Sequence, residues 1–131
     1  MGLIYVDSCL LIDALADRGD RGERSRRLLL RGEVDDRLVI SPMVELECMV
    51  RPLRSDNPEL VAIVQTALSK FRRIAVTDHA FQLAARLRAM AGFKTPDAIH
   101  LAAAGLANCD QFWTTDKQLL RAWPHFVVNP L

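Results

Sequence analysis

Four carboxylates, Asp7, Glu47, Asp97 and Asp116, sit at places where a layered α/β fold would bring distant residues together. Asp7 ends the apolar run Leu3 to Val6, and more apolar sequence follows it from Cys9 to Ala16. A charge at the end of such a strand is tolerable at the open end of a sheet, facing water or a cation. Glu47 lies in a helix after a second strand, Asp97 in the first turn of a helix opened by Thr95-Pro96, and Asp116 just beyond a fourth strand. If the strands run parallel, their ends share one edge, and in open α/β sheets ligands bind beyond that edge. Clustered carboxylates push one another towards protonation unless a cation sits among them. Oxygen ligands without His or Cys suit Mg²⁺ or Mn²⁺ rather than zinc. Such ions bridge phosphate oxygens, lower the pKa of a bound water and stabilise a leaving oxygen. The chemistry this pattern suggests is metal-assisted phosphodiester hydrolysis.

Each acid also has a plainer reading. Asp97 in a first helical turn gains about 0.3–1 kcal/mol from the macrodipole. Asp116 suits an N-cap, and Glu47 suits a solvated helix face. Singly, these three favour the plainer reading; Asp7 does not, because apolar sequence flanks it on both sides. Glu45 competes with Glu47, and a helical wheel places Glu47 nearer the stripe Met43, Leu46, Val50 and Leu53. Ser8 and Thr114 stand beside the acids and suit hydrogen bonds to a carboxylate or to an ion's water. His100, three residues after Asp97, shares its helix face; it reads as a packed core histidine, with phosphate binding or support of an ion ligand as alternatives. Cys9 reads as a small buried residue, not a nucleophile, since nothing nearby lowers its pKa. Asp13, Asp17, Asp20, Asp35, Asp36 and Asp110 read as surface or turn residues.

Strands fit residues 3–6, 37–40, 73–76, 110–114 and 125–128. Between them, helices fit 9–16, 23–31, a segment from Pro42 that ends or kinks at Arg51-Pro52, then 59–70, 79–91, 95–106 and a short one to Trp123. Residues 17–22 read as a polar turn, Ser41 as the cap before Pro42, Asp78 as a cap, Thr95 as the cap before Pro96, and Gly92 as a stop. The helix 79–91 is expected to bury Phe81, Ala84, Leu87 and Ala91. Alternation of strand and helix predicts a three-layer α/β/α sandwich with a central, mostly parallel sheet, residues 1–131 forming one domain.

Bulk numbers exclude more than they assert. The formal net charge is +1, so no partner follows from total charge, although a basic groove can hide in a neutral sum. Three cysteines, widely spaced and without a Cys-x-x-Cys, argue against a disulfide framework or a thiolate zinc site and fit a reducing cytosol. No stretch approaches the roughly 20 apolar residues of a membrane span, and a signal-peptide pattern is absent. The many Arg and Lys residues read mostly as solvated helix faces, though a nucleic-acid substrate needs some of them near the acids.

The motifs taken together resemble the PIN-domain family, and within it the VapC-type toxins of toxin–antitoxin pairs. The matching segments are Tyr-Val-Asp-Ser-Cys-Leu-Leu-Ile (5–12), Ile-Ser-Pro-Met-Val-Glu-Leu-Glu-Cys-Met-Val (40–50), Lys-Thr-Pro-Asp-Ala-Ile-His-Leu-Ala-Ala-Ala (94–104) and Phe-Trp-Thr-Thr-Asp (112–116). The resemblance implies that Asp7, Glu47, Asp97 and Asp116 are the catalytic acids and metal ligands, with Thr114 as a polar companion. It implies a Mg²⁺- or Mn²⁺-dependent endoribonuclease of the cytoplasm, held in check by a cognate antitoxin and forming a homodimer or a hetero-oligomer with that antitoxin. RNA would be cut by an ion-activated water to leave 5′-phosphate and 3′-hydroxyl ends. One departure is Cys9, where the family commonly has Asn or Ser, so a polar contact to Asp7 or to an ion's water is in question. The competing readings are an inactive RNA- or protein-binding module of the same fold, and phosphotransfer through an aspartyl phosphate on Asp7, whose usual second Asp is replaced by Cys9.

Overall fold

The computed structural model describes residues 2–30 and 35–131. Among these, five strands and seven helices alternate: β1 (Ile4–Val6), α1 (Ser8–Ala16), α2 (Asp20–Leu29), β2 (Leu38–Ile40), α3 (Pro42–Arg54), α4 (Pro58–Ser69), β3 (Arg72–Arg73), α5 (Asp78–Ala91), α6 (Thr95–Leu106), β4 (Gln111–Trp113), α7 (Lys117–Ala122) and β5 (Val127–Val128). Arg31, the expected last residue of the second helix, lies outside the described residues.

The sheet is wholly parallel, in the order β3-β2-β1-β4-β5. Its central strand β1 pairs Tyr5 with Val39 of β2 on one side and with Phe112 of β4 on the other. Every residue of β1 and β2 is buried, as expected of strands covered by helices on both faces. The order reverses between β1 and β4, which makes the gap beyond their carboxyl ends the switch point of the fold. The ladder continues one residue past each central strand, with the Asp7 N–H on the Trp113 carbonyl at 3.0 Å and the Thr114 N–H on the Val128 carbonyl at 3.0 Å. Asp7, Ser41 and Thr114 are thus the residues that immediately follow β1, β2 and β4.

Several boundaries differ from the sequence reading. The turn after α1 is confined to residues 17–19, because the Asp17 carboxylate accepts from the Gly19 and Gly22 amides and lets α2 begin at Asp20. Gly22 has to be glycine there, since a Cβ would lie 1.9 Å from the Asp17 carbonyl oxygen. α3 runs through Pro52 to Arg54; the proline falls in the last turn, where it removes only one ladder bond. Strand β3 is Arg72–Arg73 and not 73–76, because this edge strand has one neighbour and its pairing ends where Ile74 meets the Ile40 carbonyl. Thr77, not Asp78, caps α5, and Lys94, not Thr95, precedes α6. Gly92 stops α5 in the left-handed conformation, φ 71°.

Two helix faces are also turned. α3 buries Val44, Cys48 and Pro52, leaving Leu46, Val50 and Leu53 exposed. α5 buries Ala80 and Ala84, so Phe81 and Ala91 face solvent. Met43 and Met49 of α3 and Leu83 and Leu87 of α5 also pack against the core, while Leu46, Leu53 and Phe81 are left outside.

Candidate active site

Asp7 doubles as the N-cap of α1. Its Oδ1 accepts the Ser8 N–H at 2.8 Å, and its Oδ2 accepts the Thr114 hydroxyl at 2.8 Å. Glu47 reaches the same place from α3: its Oε1 accepts the Ser8 hydroxyl at 2.9 Å and a hydrogen bond from His100 Nε2. Both bonds fall on one oxygen, and Oε2 has no hydrogen-bond partner among the described residues. Asp7, Glu47 and His100 each offer a ligand-type atom, and these atoms lie within 4.8 Å of one another.

Asp116 caps α7, with Oδ1 accepting the Gln118 and Leu119 amides at 2.8 and 3.2 Å. Its own amide donates to the Thr114 hydroxyl at 3.1 Å, which ties Asp116 to Asp7 through one oxygen. Asp97 lies in the first turn of α6, whose N-cap residue, Lys94, makes no side-chain cap hydrogen bond. The Asp97 carboxyl is part of the group electrostatically: burial raises it, and the charges of Asp7, Asp116 and Glu47 raise it further against the pull of His100.

The other acids respond in ways that burial and partners explain. Burial pushes the Asp7 carboxyl up, opposed by His100 and by the Thr114 hydroxyl, while Glu47 adds to the rise. Burial also works against Glu47, but the hydrogen bonds from His100 and from the Ser8 hydroxyl outweigh it and hold Glu47 below the ordinary value. Among the described residues, no Lys or Arg pairs with any of the four acids. Glu45 is the contrast, for it pairs with Arg73 at the sheet edge. So Glu47 and not Glu45 faces the other acids, although the stripe that favoured Glu47 on the wheel is the exposed one.

Of the residues singled out in the sequence, the structure brings Asp7, Ser8, Glu47 and Thr114 into hydrogen-bonded contact, and sets Asp97 and Asp116 in their field. His100 is packed in the core, yet it also bonds Glu47, so the cluster is not built of oxygen alone. Cys9 takes part as well: its thiol lies 3.7 Å from Asp7 Oδ2 and 3.4 Å from Thr114 Oγ1. A weak polar contact to Asp7 therefore survives the exchange of Asn or Ser for Cys. Burial and the Asp7 charge push that thiol up, which suits a protonated donor and not a nucleophile. Tyr5 and Ser41 were missed: Tyr5 Oη lies between Ser41 Oγ and His100 Nδ1. A signal existed, since Tyr5 is two residues before Asp7 and shares its face of the strand, and Ser41 follows β2 as Asp7 follows β1.

An acid cluster with no Lys or Arg partner among the described residues, at the carboxyl edge of a parallel sheet's switch point, defines an α/β protein with a possible acidic metal site. The chain belongs to the PIN domain family, whose model matches residues 4–122. None of the curated proteins matches the sequence. Among solved structures, the fold is similar to a chain of a toxin–antitoxin complex from Klebsiella pneumoniae, with 25% identity over 98% of both chains and a TM-score of 0.79. It is also similar to the DNA-bound VapBC from Salmonella typhimurium, with 16% identity, 98% of both chains covered and a TM-score of 0.76. A third likeness is to VapC20 of Mycobacterium tuberculosis, described as a sarcin–ricin-loop-cleaving toxin, with 15% identity, 91% of this chain and 94% of that one covered, and a TM-score of 0.74.

Proposed function

We propose that this chain is a divalent-cation-dependent endoribonuclease of the cytoplasm, the toxin member of a toxin–antitoxin pair, with residues 1–131 as one catalytic domain. The observation that carries the reading is the cluster of Asp7, Glu47 and Asp97, none of them paired with Lys or Arg among the described residues; burial first, and then neighbouring carboxylates, raise Asp7 and Asp97. Membership of the PIN domain family and 25% identity to a chain of a toxin–antitoxin complex support it.

The donor set fits Mg²⁺ or Mn²⁺. Asp7, Asp97, Asp116 and Glu47 are the residues that would hold the ion. When bound, it would supply charge neutralisation for the phosphodiester and a lowered pKa for a water. The protein's own part is positioning. Glu47 is gripped by Ser8 and His100 through Oε1 alone, and Asp116 is gripped by α7 amides through Oδ1 alone, so each keeps one oxygen free of protein partners among the described residues. Thr114 and the Ser8 amide fix the Asp7 carboxylate, and a rigid sheet edge sets its direction. RNA phosphates would enter at the open edge of the sheet and leave as 5′-phosphate and 3′-hydroxyl ends.

For the antitoxin, an apolar groove of about 240 Å³ runs beside Glu47 between α1, α3 and α4, lined by Ile12, Leu15, Cys48, Pro52, Leu60 and Val64. It suits the apolar side chains of a partner segment that would end near the acids. The exposed Leu46 and Leu53 of α3 offer apolar surface for self-association.

The test is incubation of total cellular RNA with purified wild type and Asp97→Asn, each with Mg²⁺, Mn²⁺ or EDTA. Discrete fragments that require the ion and vanish in the variant are the expected result. Fragments that persist in EDTA, or RNA binding without cleavage by a folded wild type, would overturn it.

A further inference from the structure

Tyr5 and Ser41 are fully buried directly behind the acids, with relative exposures of 0% each. Tyr5 Oη lies 2.7 Å from Ser41 Oγ and 2.6 Å from His100 Nδ1. The other ring nitrogen of His100, Nε2, bonds Glu47 Oε1 and stands 3.7 Å from Asp7 Oδ1, too far for a second hydrogen bond. A continuous line of side chains therefore links the start of α3 to an acid on the same helix by way of the core.

Proton counting gives that line a direction. His100 Nε2 faces the Glu47 carboxylate, so in the neutral ring the hydrogen is on Nε2 and Nδ1 is bare. Tyr5 Oη then gives its one hydrogen to Nδ1 and accepts the hydrogen of Ser41 Oγ, whose oxygen also accepts the Met43 N–H at 3.2 Å. In the reverse order, a bare Nε2 lone pair would face a carboxylate oxygen, and two acceptors would touch. Burial pushes the Tyr5 hydroxyl far above its ordinary value, so it keeps its hydrogen and remains a donor. The Tyr5 ring cannot easily turn away, because it stacks on Phe112, its partner across β1 and β4, at 5.1 Å between centroids and 11° between planes.

We propose that Tyr5 is a positioning residue that holds His100 in its Nε2–H form, so that His100 pins Glu47 through Oε1 and does not itself ligate an ion. The consequence for ion binding rests on the nuclease reading; the proton arrangement does not. In this arrangement the aim of Glu47 is set by residues that never meet substrate. Outer partners of ion ligands act on affinity in this way, by about 10–100-fold when removed.

The experiment has two readouts. Long-range ¹H–¹⁵N correlation spectra of ¹⁵N-histidine-labelled protein, without metal, report which His100 nitrogen is protonated. Wild type should show Nε2 protonated and Nδ1 bare. Tyr5→Phe, which removes only the hydroxyl, should move His100 to a mixture of both tautomers. Calorimetric titration with Mn²⁺ should then show affinity falling by about tenfold. His100→Gln and His100→Asn address the same point without touching Tyr5. The Gln amide reaches the Nε2 place and should retain most of the affinity, whereas Asn reaches only the Nδ1 place and should lose it. Added to His100→Gln, Tyr5→Phe should have no further effect. Protonation of Nδ1 in wild type, alone or together with Nε2, would overturn the proposal, as would an equal loss from Tyr5→Phe in the His100→Gln background. Wild-type protein with the expected spectrum but no Mn²⁺ binding would leave the tautomer assignment standing and remove the nuclease reading.

Discussion

Thr114 donates its hydroxyl hydrogen to Asp7 Oδ2 at 2.8 Å, across the central β1–β4 pair. Both residues are buried, so the bond is made out of water, where a carboxylate left short of a donor is expensive.

Thr114→Val keeps the shape and removes that donor. The bond lowers the Asp7 carboxyl against the effect of burial, so its loss raises Asp7 further. The acid limb of the cleavage profile should move to higher pH, and the fold should lose about 1–3 kcal/mol. Thr114→Ser should restore both. The check is a pH–rate profile beside a denaturation curve; an unmoved acid limb in the Val variant would show that Thr114 does not tune Asp7.

Asp7→Asn separates charge from capping. Asn is as good an N-cap as Asp, so α1 should keep its start. Without the buried charge, metal-free protein should be at least as stable as wild type. Cleavage should fall on the order of a thousandfold, equivalent to about 4 kcal/mol of transition-state stabilisation. Parallel melting and cleavage assays decide it, and a variant that is both active and stable removes Asp7 from the site.

Glu45 and Glu47, two residues apart on α3, should behave oppositely. Glu45 pairs with the half-exposed Arg73, a type of surface bridge worth about 0–1 kcal/mol. Glu45→Gln should therefore leave cleavage unchanged within about twofold, as expected of a surface substitution with little energetic effect. Glu47→Gln should weaken Mn²⁺ binding and cleavage together. Equal effects from both substitutions would contradict the geometry at Ser8 and His100.

How far the sequence carried the fold depends on what each signal measures. The end of β1 was legible because an apolar run stops at an acid, β4 ends at Trp113, one residue before the expected Thr114, and the parallel sheet followed from the alternation of elements. Ser41 and Pro42 fixed the start of α3 by local chemistry alone. The faces of α3 and α5 were legible only in part: Ala84 and Leu87 pack inward as expected, but hydrophobicity also pointed to Leu46, Leu53 and Phe81, whereas packing selected Val44, Cys48 and Ala80. The same limit hid the Tyr5–His100 bond, which joins residues 95 positions apart and exists only once β1 and α6 are packed. Asp97 was legible as a residue of interest, but its coupling to Asp7 and Asp116 is a property of the assembled edge.

The raised carboxyls make ion binding visible as stability. Asp7 and Asp97 bind their protons more tightly folded than unfolded, so metal-free protein gains stability as pH falls through their raised values towards the ordinary aspartate range. Glu47 is lowered, so its contribution runs the other way: present above the ordinary glutamate value and lost as pH falls through its folded one. A divalent ion binds the deprotonated acids, and at a hundredfold excess over its dissociation constant it should add about 2.7 kcal/mol. That increment should be largest at neutral pH and above, and should shrink as Asp7 and Asp97 take up protons. Thermal melts from mildly acidic to mildly alkaline pH, with EDTA or with Mg²⁺ or Mn²⁺, measure it directly. An ion increment that is the same at both ends of the range would mean that the ion binds elsewhere than at the raised pair.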